Sequence, residues 1–484
     1  MEKNANISLR SRAFKGAGFL AFRQIAVNIV NFTGNLILAR ILIPADFGIY
    51  ALVQFLITLF TLIGDSGLGA IIIKKRHEPS RALLTTVFSF QMTMMGVISI
   101  LLFAATWVIA PHLKSGVNIW LFRVSIISFF LLAFRSVPVV LLDRELEYGK
   151  VAMLEITENL AFQATAVTMA FMKFGVWSLI CGLLAKNIAM FIVLQIISTF
   201  KIGFGIKPRF LRHIIPYGIM FQGSNFVNFI KDSTVPVWIG ATIGMSSLGY
   251  ISWANSIASY PLLLSNMFSR MIFPIFSRVQ HEKEKLKEAI EIVLRINIGM
   301  VMCLATVLFS CAEPIIKIVY TDKWMPALTL FSFLTIACFF QAGSSTVVSA
   351  YNASGRSGYT FRISLVWVLF TWLFSLILVP RFGINGYGAA IVLTYVLNIF
   401  FLYGLKKDFN VSVFRNILPP LAAFLITAAA AKVPAFSFNA RVNSLVKLAA
   451  FAAAAGTLYT GMLLAFSRGR YIKDVKFILQ GRTK

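Results

Sequence analysis

The chain has 484 residues, of which 58% are hydrophobic and only 13% are charged, and its mean hydropathy is +0.81. Soluble globular proteins carry about a quarter charged residues, so this composition excludes an ordinary soluble protein and indicates a polytopic membrane protein. The net charge of +27 would suit a nucleic-acid-binding protein, but Lys and Arg are concentrated in the termini and in the even-numbered loops between apolar runs. This is the positive-inside pattern, and it predicts a multi-pass membrane protein with both termini in the cytoplasm.

A helix needs about 20 apolar residues to cross about 30 Å of hydrocarbon. By that criterion the sequence predicts an all-α fold with about 14 transmembrane helices, because no apolar run shows the period-two alternation of membrane β-strands. The first run carries Arg23, Gln24 and three asparagines, so we expect a retained helix rather than a cleaved signal peptide. The predicted spans are 16–43, 46–73, 83–110, 116–142, 150–173, 175–200, 211–240, 247–276, 288–312, 326–350, 358–380, 384–405, 416–434 and 443–467.

The two halves of the chain match at a nearly constant offset, which predicts an internal repeat. Gln24 corresponds to Asn225, and Gln54 to Asn255, each 201 residues later. The sequences Lys173-Phe174-Gly175-Val176 and Arg381-Phe382-Gly383-Ile384 precede spans six and twelve at an offset of 208. Because each half has an even number of spans, we predict two six-helix lobes related by a pseudo-twofold axis along the membrane normal. The predicted domains are 1–205 (spans one to six), 206–407 (spans seven to twelve), 408–467 (two additional C-terminal helices) and 468–484 (a basic amphipathic cytoplasmic tail lying along lipid headgroups).

Four of the spans have a polar face. At 100° per residue, the polar residues of span one fall within about 60° of arc, and those of span seven within roughly 120°. Polar groups in hydrocarbon cost several kcal/mol unless they face protein or water, so we predict that these faces line a central cleft between the lobes. The alternative is that the amides only join helices. The residues predicted to line the cleft are Gln24, Asn28, Asn31, Asn35, Gln54, Thr58, Gln222, Asn225, Asn255 and Asn266.

Ionisable residues within the spans suggest two further roles. Arg23 and Arg270 lie on or beside polar faces, and the planar guanidinium suits phosphate oxygens, so both are candidate diphosphate ligands. The carboxylates are candidates for coupling transport to an ion. Glu155 and Glu158 are one helical turn apart, and we expect them to pair with Lys186 or Arg123 or to relay a proton; Arg295 either pairs or extends to the membrane interface. The candidate coupling residues are Asp65, Glu155, Glu158 and Asp232.

Catalytic and metal-binding patterns are not found in the sequence. The four cysteines fall in predicted spans, the four histidines have no metal-ligand spacing, and no phosphate-binding Gly-rich loop occurs. We therefore predict a transporter rather than an enzyme, with no cofactor and no metal. Prolines near helix interiors are expected to kink the helices and to serve either as hinges or as ordinary membrane-helix residues: Pro138, Pro216, Pro236, Pro261 and Pro274.

Several short sequences resemble one family of transporters. They are Leu38-Ala39-Arg40 with Asp46-Phe47-Gly48, Asp65-Ser66-Gly67-Leu68, Leu142-Asp143-Arg144-Glu145-Leu146, Leu248-Gly249-Tyr250 and Ala353-Ser354-Gly355-Arg356. Together with the number of spans, these motifs resemble the Wzx-type polysaccharide exporters of the multidrug, oligosaccharidyl-lipid and polysaccharide exporter superfamily. The resemblance covers nearly the whole chain.

The resemblance implies a flippase that moves a polyprenyl-diphosphate-linked oligosaccharide from the cytoplasmic to the outer leaflet by alternating access. It also implies that Arg23 and Arg270 hold the diphosphate and that the polar residues predicted to line the cleft bind the sugars. Spans thirteen and fourteen would shape a groove for the lipid tail, and Asp232 occupies a position often acidic in the family. The expected partners are the lipid-linked glycan, membrane lipids and the polymerase and glycosyltransferase machinery, with a monomeric transporter. Two alternatives remain open, a cation-coupled multidrug exporter of the same superfamily and an integral-membrane glycosyltransferase or polymerase.

Overall fold

The helices of the protein follow the apolar runs of its sequence. A computed structural model describes residues 24, 26–65, 72, 78–109, 118–432, 445–467 and 469–474, and every regular element in these ranges is helical. Within them, nine helical segments are long and apolar enough to cross a membrane, and Ala26–Ile41 is a shorter apolar helix. The all-α, multi-pass fold predicted from the sequence is therefore confirmed, whereas the number of fourteen spans stays a prediction.

The structure divides into two compact units, residues 1–229 and 230–484. In the first unit, the consecutive helices α6 (Tyr148–Phe171) and α7 (Val176–Ile197) pack extensively against each other, and Phe129, Ala166 and Leu179 belong to one buried apolar cluster. The predicted domain boundaries, the first of them after residue 205, stay predictions. The helices of the first unit are α1 (Ala26–Ile41), α2 (Pro44–Asp65), α3 (Arg81–Ile109), α4 (Ile119–Leu131), α5 (Ser136–Arg144), α6 (Tyr148–Phe171), α7 (Val176–Ile197) and α8 (Pro208–Phe229).

In the second unit, α12 is the central helix, because α11, α13, α16 and α17 all pack against it. Two buried indole rings, Trp253 and Trp324, stack with their centroids 4.9 Å apart and connect α10 to the segment before α13. The helices of this unit are α9 (Val235–Ile243), α10 (Met245–Ala258), α11 (Tyr260–Val279), α12 (Lys283–Ser310), α13 (Leu328–Ala353), α14 (Ser357–Val396), α15 (Asn398–Phe409), α16 (Val413–Lys432) and α17 (Leu445–Phe466).

Backbone geometry agrees with the predicted repeat. Gly175 has φ 57° and ψ −132°, and Gly383 has φ 59° and ψ −138°. Both glycines belong to the sequences matched at the offset of 208, and both adopt a positive-φ conformation that side chains with a Cβ avoid. Gly383 also divides the 40-residue α14 into two helices by a kink. The kink falls between the predicted spans 358–380 and 384–405.

Three of the prolines predicted to kink helices lie next to irregular turns. A 3₁₀ segment, Leu132–Arg135, precedes Pro138, and a π-helical segment, Ile230–Thr234, precedes Pro236. The break between α10 and α11 comes at Ser259, two residues before Pro261. Proline has no N–H to donate to the carbonyl four residues earlier, so the regular hydrogen-bond ladder cannot continue through these positions.

A short C-terminal helical turn is tied to the second unit by a buried ion pair. Arg295 Nε donates to Asp474 Oδ2 at 2.8 Å, and Arg295 Nη1 donates to Asn416 Oδ1 at 2.7 Å. The two charged side chains are 13% and 12% exposed, and the Tyr471 hydroxyl donates to the Arg295 carbonyl. Arg295 is therefore paired within the protein, one of the two expected outcomes. Residues 469–474 of the predicted tail pack against α12, and residues 475–484 lie outside the described residues.

We expect Asp474→Asn to lower the free energy of unfolding by about 2 kcal/mol, because it removes the closer of the two carboxylates beside the buried Arg295 guanidinium and leaves Glu291 Oε2 at 3.9 Å from Nη1. Thermal unfolding of the purified protein in detergent, followed by tryptophan fluorescence, measures the change. The control is Glu313→Gln, which breaks an equally short pair with Lys317 (2.7 Å) at an exposed position and is expected to cost less than about 1 kcal/mol. Equal effects of the two substitutions would contradict a special role for the buried pair.

Candidate functional site

Among the residues that the structure describes, the polar face of α1 has one hydrogen bond along its own helix and one to α6. Gln24 Nε2 donates to Asn28 Oδ1 at 3.1 Å, one turn away, and Asn28, Asn31 and Asn35 are all half-buried. Asn31 also accepts a long hydrogen bond of 3.5 Å from Gln163 Nε2 of α6. The four residues predicted to form one face are thus accessible polar groups on the helix that carries them.

Close packing against α6 fixes the position of this face. Gly34 is buried, and a Cβ at this position would lie 2.0 Å from Gln163 Oε1. Gln163 itself is 7% exposed, and its Oε1 accepts no hydrogen bond from any described residue. A buried carbonyl oxygen without a donor is a costly feature, and a hydroxyl or water would reach this one only if α1 moved away from α6.

The faces of α2 and α8 show the same pattern. Gln54 Nε2 donates to Tyr50 OH at 2.7 Å within α2, and Thr58 is exposed. In α8, Asn225 Nδ2 donates to Gln222 Oε1 at 2.8 Å; Gln222 is half-buried and Asn225 is exposed. These amides again bond along one helix and leave polar atoms at its surface.

A charged cluster surrounds the π-helical turn of the second unit. Lys231 Nζ lies 3.3 Å from Asp232 Oδ1 and 5.0 Å from the centre of the Trp367 ring. The Lys231 side chain is 15% exposed, whereas that of Asp232 is 62% exposed. A π-helical turn re-aims side chains within a helix and is frequent at functional sites. Here it places one carboxylate outward and its ammonium partner inward, against an aromatic ring.

Two tyrosines and an amide complete this cluster. Asp232 lies close enough to Tyr387 and Tyr395 of α14 to interact with both electrostatically, and Asn255 also lies beside Tyr387. Of the two predicted residues in α10 and α11, Asn255 is half-buried and Asn266 is exposed. The structure therefore brings the predicted residues Asp232 and Asn255 into one cluster, joined by Tyr387.

The predicted partners of Glu158 were wrong. Arg135 Nη1 donates to both carboxylate oxygens of Glu158, at 3.0 and 2.7 Å, and Glu158 is buried. Arg123 and Arg135 are separated by about 18 Å along the helix axis at 1.5 Å per residue, so Glu158 reaches only one of them. The Glu158 carboxylate is therefore part of a structural ion pair with Arg135. Glu155 is half-buried, and its role in ion coupling stays a prediction.

Amides that join helices look different from the predicted faces. Asn187 is 2% exposed and donates to the carbonyl and hydroxyl of Ser128 on another helix. Asn297 is also 2% exposed and donates to the Ala342 carbonyl at 2.9 Å. The face amides are more accessible, and most of their hydrogen bonds run within one helix. This contrast favours a binding role over a purely packing role for the faces.

Some predicted residues lie outside the described part of the structure. Arg23 is one of them, and the side chains of Asp65 and Arg270 are likewise outside the described residues, although α2 and α11 include their backbones. Sequence reasoning missed Gln163, Tyr387 and Tyr395. Gln163 follows Asn159 by one helical turn in a predicted span, and this spacing of polar residues could have identified it. Tyrosines count as apolar in a hydropathy pattern, so the pattern could not identify Tyr387 and Tyr395.

Comparison with known proteins identifies relatives along most of the chain. The family model described as "Polysaccharide biosynthesis protein" matches residues 37–329. The chain is 24% identical to the succinoglycan biosynthesis transport protein ExoT of Rhizobium meliloti (strain 1021), over 89% of this chain and 88% of the relative. It is 21% identical to the lipopolysaccharide biosynthesis protein WzxC of Escherichia coli (strain K12), over 78% of this chain and 76% of the relative.

A solved structure with the same fold is the lipid II flippase MurJ in an inward closed conformation. The TM-score is 0.70, the sequence identity is 15%, and the match covers 92% of this chain and 98% of that structure. At this identity the likeness shows the fold alone.

We expect Gly34→Ala to destabilise the protein by about 1–3 kcal/mol, because the new Cβ would overlap the buried Gln163 side chain. Adding Gln163→Ala should remove the overlap and recover part of the loss, which a double-mutant cycle of thermal unfolding detects. Gly149→Ala is the control, since a Cβ added at Gly149 would meet no atom within 4 Å. Additive effects of the two substitutions would contradict the packing of α1 on α6.

Proposed function

The chain belongs to the polysaccharide biosynthesis protein family, and we propose that it is a flippase that exports a polyprenyl-diphosphate-linked oligosaccharide to the outer leaflet for cell-surface polysaccharide synthesis. The observation that carries the proposal is the set of accessible polar faces on apolar helices of a multi-pass membrane protein. The chain is a transporter rather than an enzyme, since its relatives are transport proteins of polysaccharide pathways.

The chemistry of this substrate explains why such faces are needed. A diphosphate and several sugars cannot enter hydrocarbon without losing the hydration of every hydroxyl and charge, whereas a polyprenyl tail is stable there. A flippase must therefore offer hydrogen-bonding groups only to the head of the lipid. The amides of Asn28, Asn31 and Asn35 supply donors and acceptors for sugar hydroxyls at the first unit.

The diphosphate needs positive charge. We assign this role to Arg23 and Arg270, which the helical periodicity of the sequence predicts to be on or beside the polar faces, because the guanidinium fork matches two phosphate oxygens. Negative charge moving outward is also favoured by an inside-negative membrane potential, by about 2.3 kcal/mol per charge per 100 mV. Alternating access would use the irregular turns next to Pro236 and Pro261 as bending points.

Asp232 is the residue that best fits ion coupling. Its carboxylate is largely exposed, and it lies beside Lys231 and near Tyr387 and Tyr395. Protonation or cation binding at this carboxylate would weaken its attraction for the Lys231 ammonium and so change the charge balance of the π-helical turn. Glu158 is a weaker candidate, because it is already held by Arg135.

The cellular setting follows from the proposed reaction. We propose a monomer in the bacterial inner membrane with cytoplasmic termini, working beside the glycosyltransferases that assemble the lipid-linked glycan and the polymerase that consumes it. Basic residues in the predicted cytoplasmic loops support this orientation.

Deletion of the gene, in a strain without a redundant exporter, should accumulate lipid-linked oligosaccharide on the cytoplasmic face. We expect Arg270→Gln to reproduce this effect and to lower transport by about 10- to 100-fold, the value of a charged hydrogen bond to phosphate. Protection of the glycan from an external glycosidase or lectin measures its sidedness. The control is Arg278→Gln, at an exposed position on the same helix. Normal outward exposure of the glycan in the deletion strain would disprove the proposed function.

In proteoliposomes containing a labelled polyprenyl diphosphate glycan, we expect an imposed pH or sodium gradient to change the rate of flipping, and Asp232→Asn to abolish that response. The neutral amide keeps the shape of the side chain but can neither be protonated nor balance Lys231. A variant with the unchanged gradient response would show that Asp232 is not the coupling residue, and Glu313→Gln, an exposed carboxylate elsewhere in the unit, serves as the control.

A further inference from the structure

A buried arginine near one end of α3 and α4 is surrounded by aromatic rings. Arg123 is 9% exposed, and its guanidinium carbon lies 4.7 Å from the ring centre of Trp107, 4.8 Å from that of Trp120 and 5.4 Å from that of Phe103. No carboxylate of the described residues forms an ion pair with it, and the connection at 110–117 contains neither Asp nor Glu. Within the described part of the chain, the faces of three aromatic rings balance this positive charge.

The hydrogen-bonding capacity of this guanidinium is largely unused. Arg123 Nε donates to Thr106 Oγ1 at 3.2 Å, and the Thr106 hydroxyl donates in turn to the Phe103 carbonyl at 2.7 Å. Neither Nη1 nor Nη2 donates to any residue that the structure describes. Four N–H donors on a fixed plane, held in place by Thr106 and the rings, are suited to the oxygens of one phosphate group.

An apolar cavity lies directly beside this cage. It has a volume of about 280 Å³ and lies between α2, α3 and α4, with Leu56, Leu102, Ala105 and Phe122 among its lining residues. Thr106 belongs to both features, because it lines the cavity and holds Arg123. Apolar cavities of this size stay dry and accept apolar ligands.

The surroundings show where a ligand would come from. Trp107 is 66% exposed and Trp120 is 56% exposed, and the neighbouring surface of α3 presents Ile100, Leu101 and Val108, each at least 64% exposed. Such a surface on a membrane helix faces lipid, and tryptophan at a helix end is typical of the depth of the headgroups. A single cation without a carboxylate matches the one negative charge of a phosphodiester.

From these observations we propose that Arg123, Thr106, Trp107 and Trp120 form a binding site for an anionic phospholipid, whose phosphate contacts the guanidinium and whose acyl chain enters the adjacent cavity. This site lies apart from the polar faces assigned to the transported glycan. It would fix a membrane lipid on the first unit, and its function does not depend on whether the chain is a flippase.

Native mass spectrometry of the purified protein titrated with phosphatidylglycerol or phosphatidylcholine tests the proposal. We expect one saturable site that prefers phosphatidylglycerol, and Arg123→Gln should weaken that binding at least about tenfold, as expected for lost charged hydrogen bonds. Arg123→Lys, which keeps the charge but not the fork, should lose less. Arg381→Gln, an exposed arginine of the second unit, is the control and should change nothing.

Ala105→Phe fills the cavity without altering the cage, and should weaken long-chain phosphatidylglycerol more than a six-carbon analogue. Equal affinity for the two long-chain lipids, or unchanged binding by a folded Arg123→Gln variant, would overturn the proposal. Stronger Arg123-dependent binding of polyprenyl phosphate than of phosphatidylglycerol would assign the site to the transported lipid instead, and equal retention of inorganic phosphate would reduce it to an anion site. If Arg123→Gln does not fold, Trp107→Leu and Ala105→Phe take its place, and unchanged phosphatidylglycerol binding by both folded variants would overturn the proposal.

Discussion

The fold depends on one constraint, the high free energy of an unsatisfied polar or charged group in hydrocarbon. Three buried or half-buried arginines meet that constraint in three ways. Arg135 holds both oxygens of Glu158, and Arg295 is paired with Asp474 and Asn416. Arg123 instead lies among aromatic rings without a counter-charge. Arg135 and Arg295 find their partners within the protein and so stabilise helix packing. Arg123 has N–H donors that remain available to a ligand.

Amides divide in the same way. Asn187 and Asn297 are buried and donate to other helices, so their hydrogen-bonding capacity is consumed by packing. The amides of Gln24 and Asn225 have partners within their own helices and remain accessible. Accessible amides in an apolar helix are stable only where water or a polar ligand reaches them. Two properties therefore distinguish an amide that joins helices from one that lines a path. One is whether its hydrogen bond goes to another helix or stays within its own, and the other is how far the amide is buried.

Sequence reasoning predicted the helices well, because hydropathy and helix length report a one-dimensional property of the chain. The glycines at 175 and 383 were matched from sequence, and their shared backbone conformation agrees with that match. The partner of Glu158 was predicted wrongly, since it depends on the axial position and rotation of neighbouring helices, which composition does not encode. The tie between Arg295 and Asp474 was missed for a similar reason, because 179 residues separate the two. The π-helical turn at Ile230–Thr234 has no sequence signature beyond Pro236.

The repeat is more informative where its two copies differ. Asn31 of the first half corresponds to Asp232 of the second, at the offset of 201. Asn31 is a neutral amide that contacts Gln163, whereas Asp232 is a carboxylate beside Lys231 on a π-helical turn. An amide can donate to and accept from sugar hydroxyls at constant charge, but only the carboxylate can change its charge by binding a proton or cation. The divergence at this one position supports a division of roles in the proposed transport cycle, with a neutral hydrogen-bonding group at this position of the first half and an ion-coupling carboxylate at the matching position of the second.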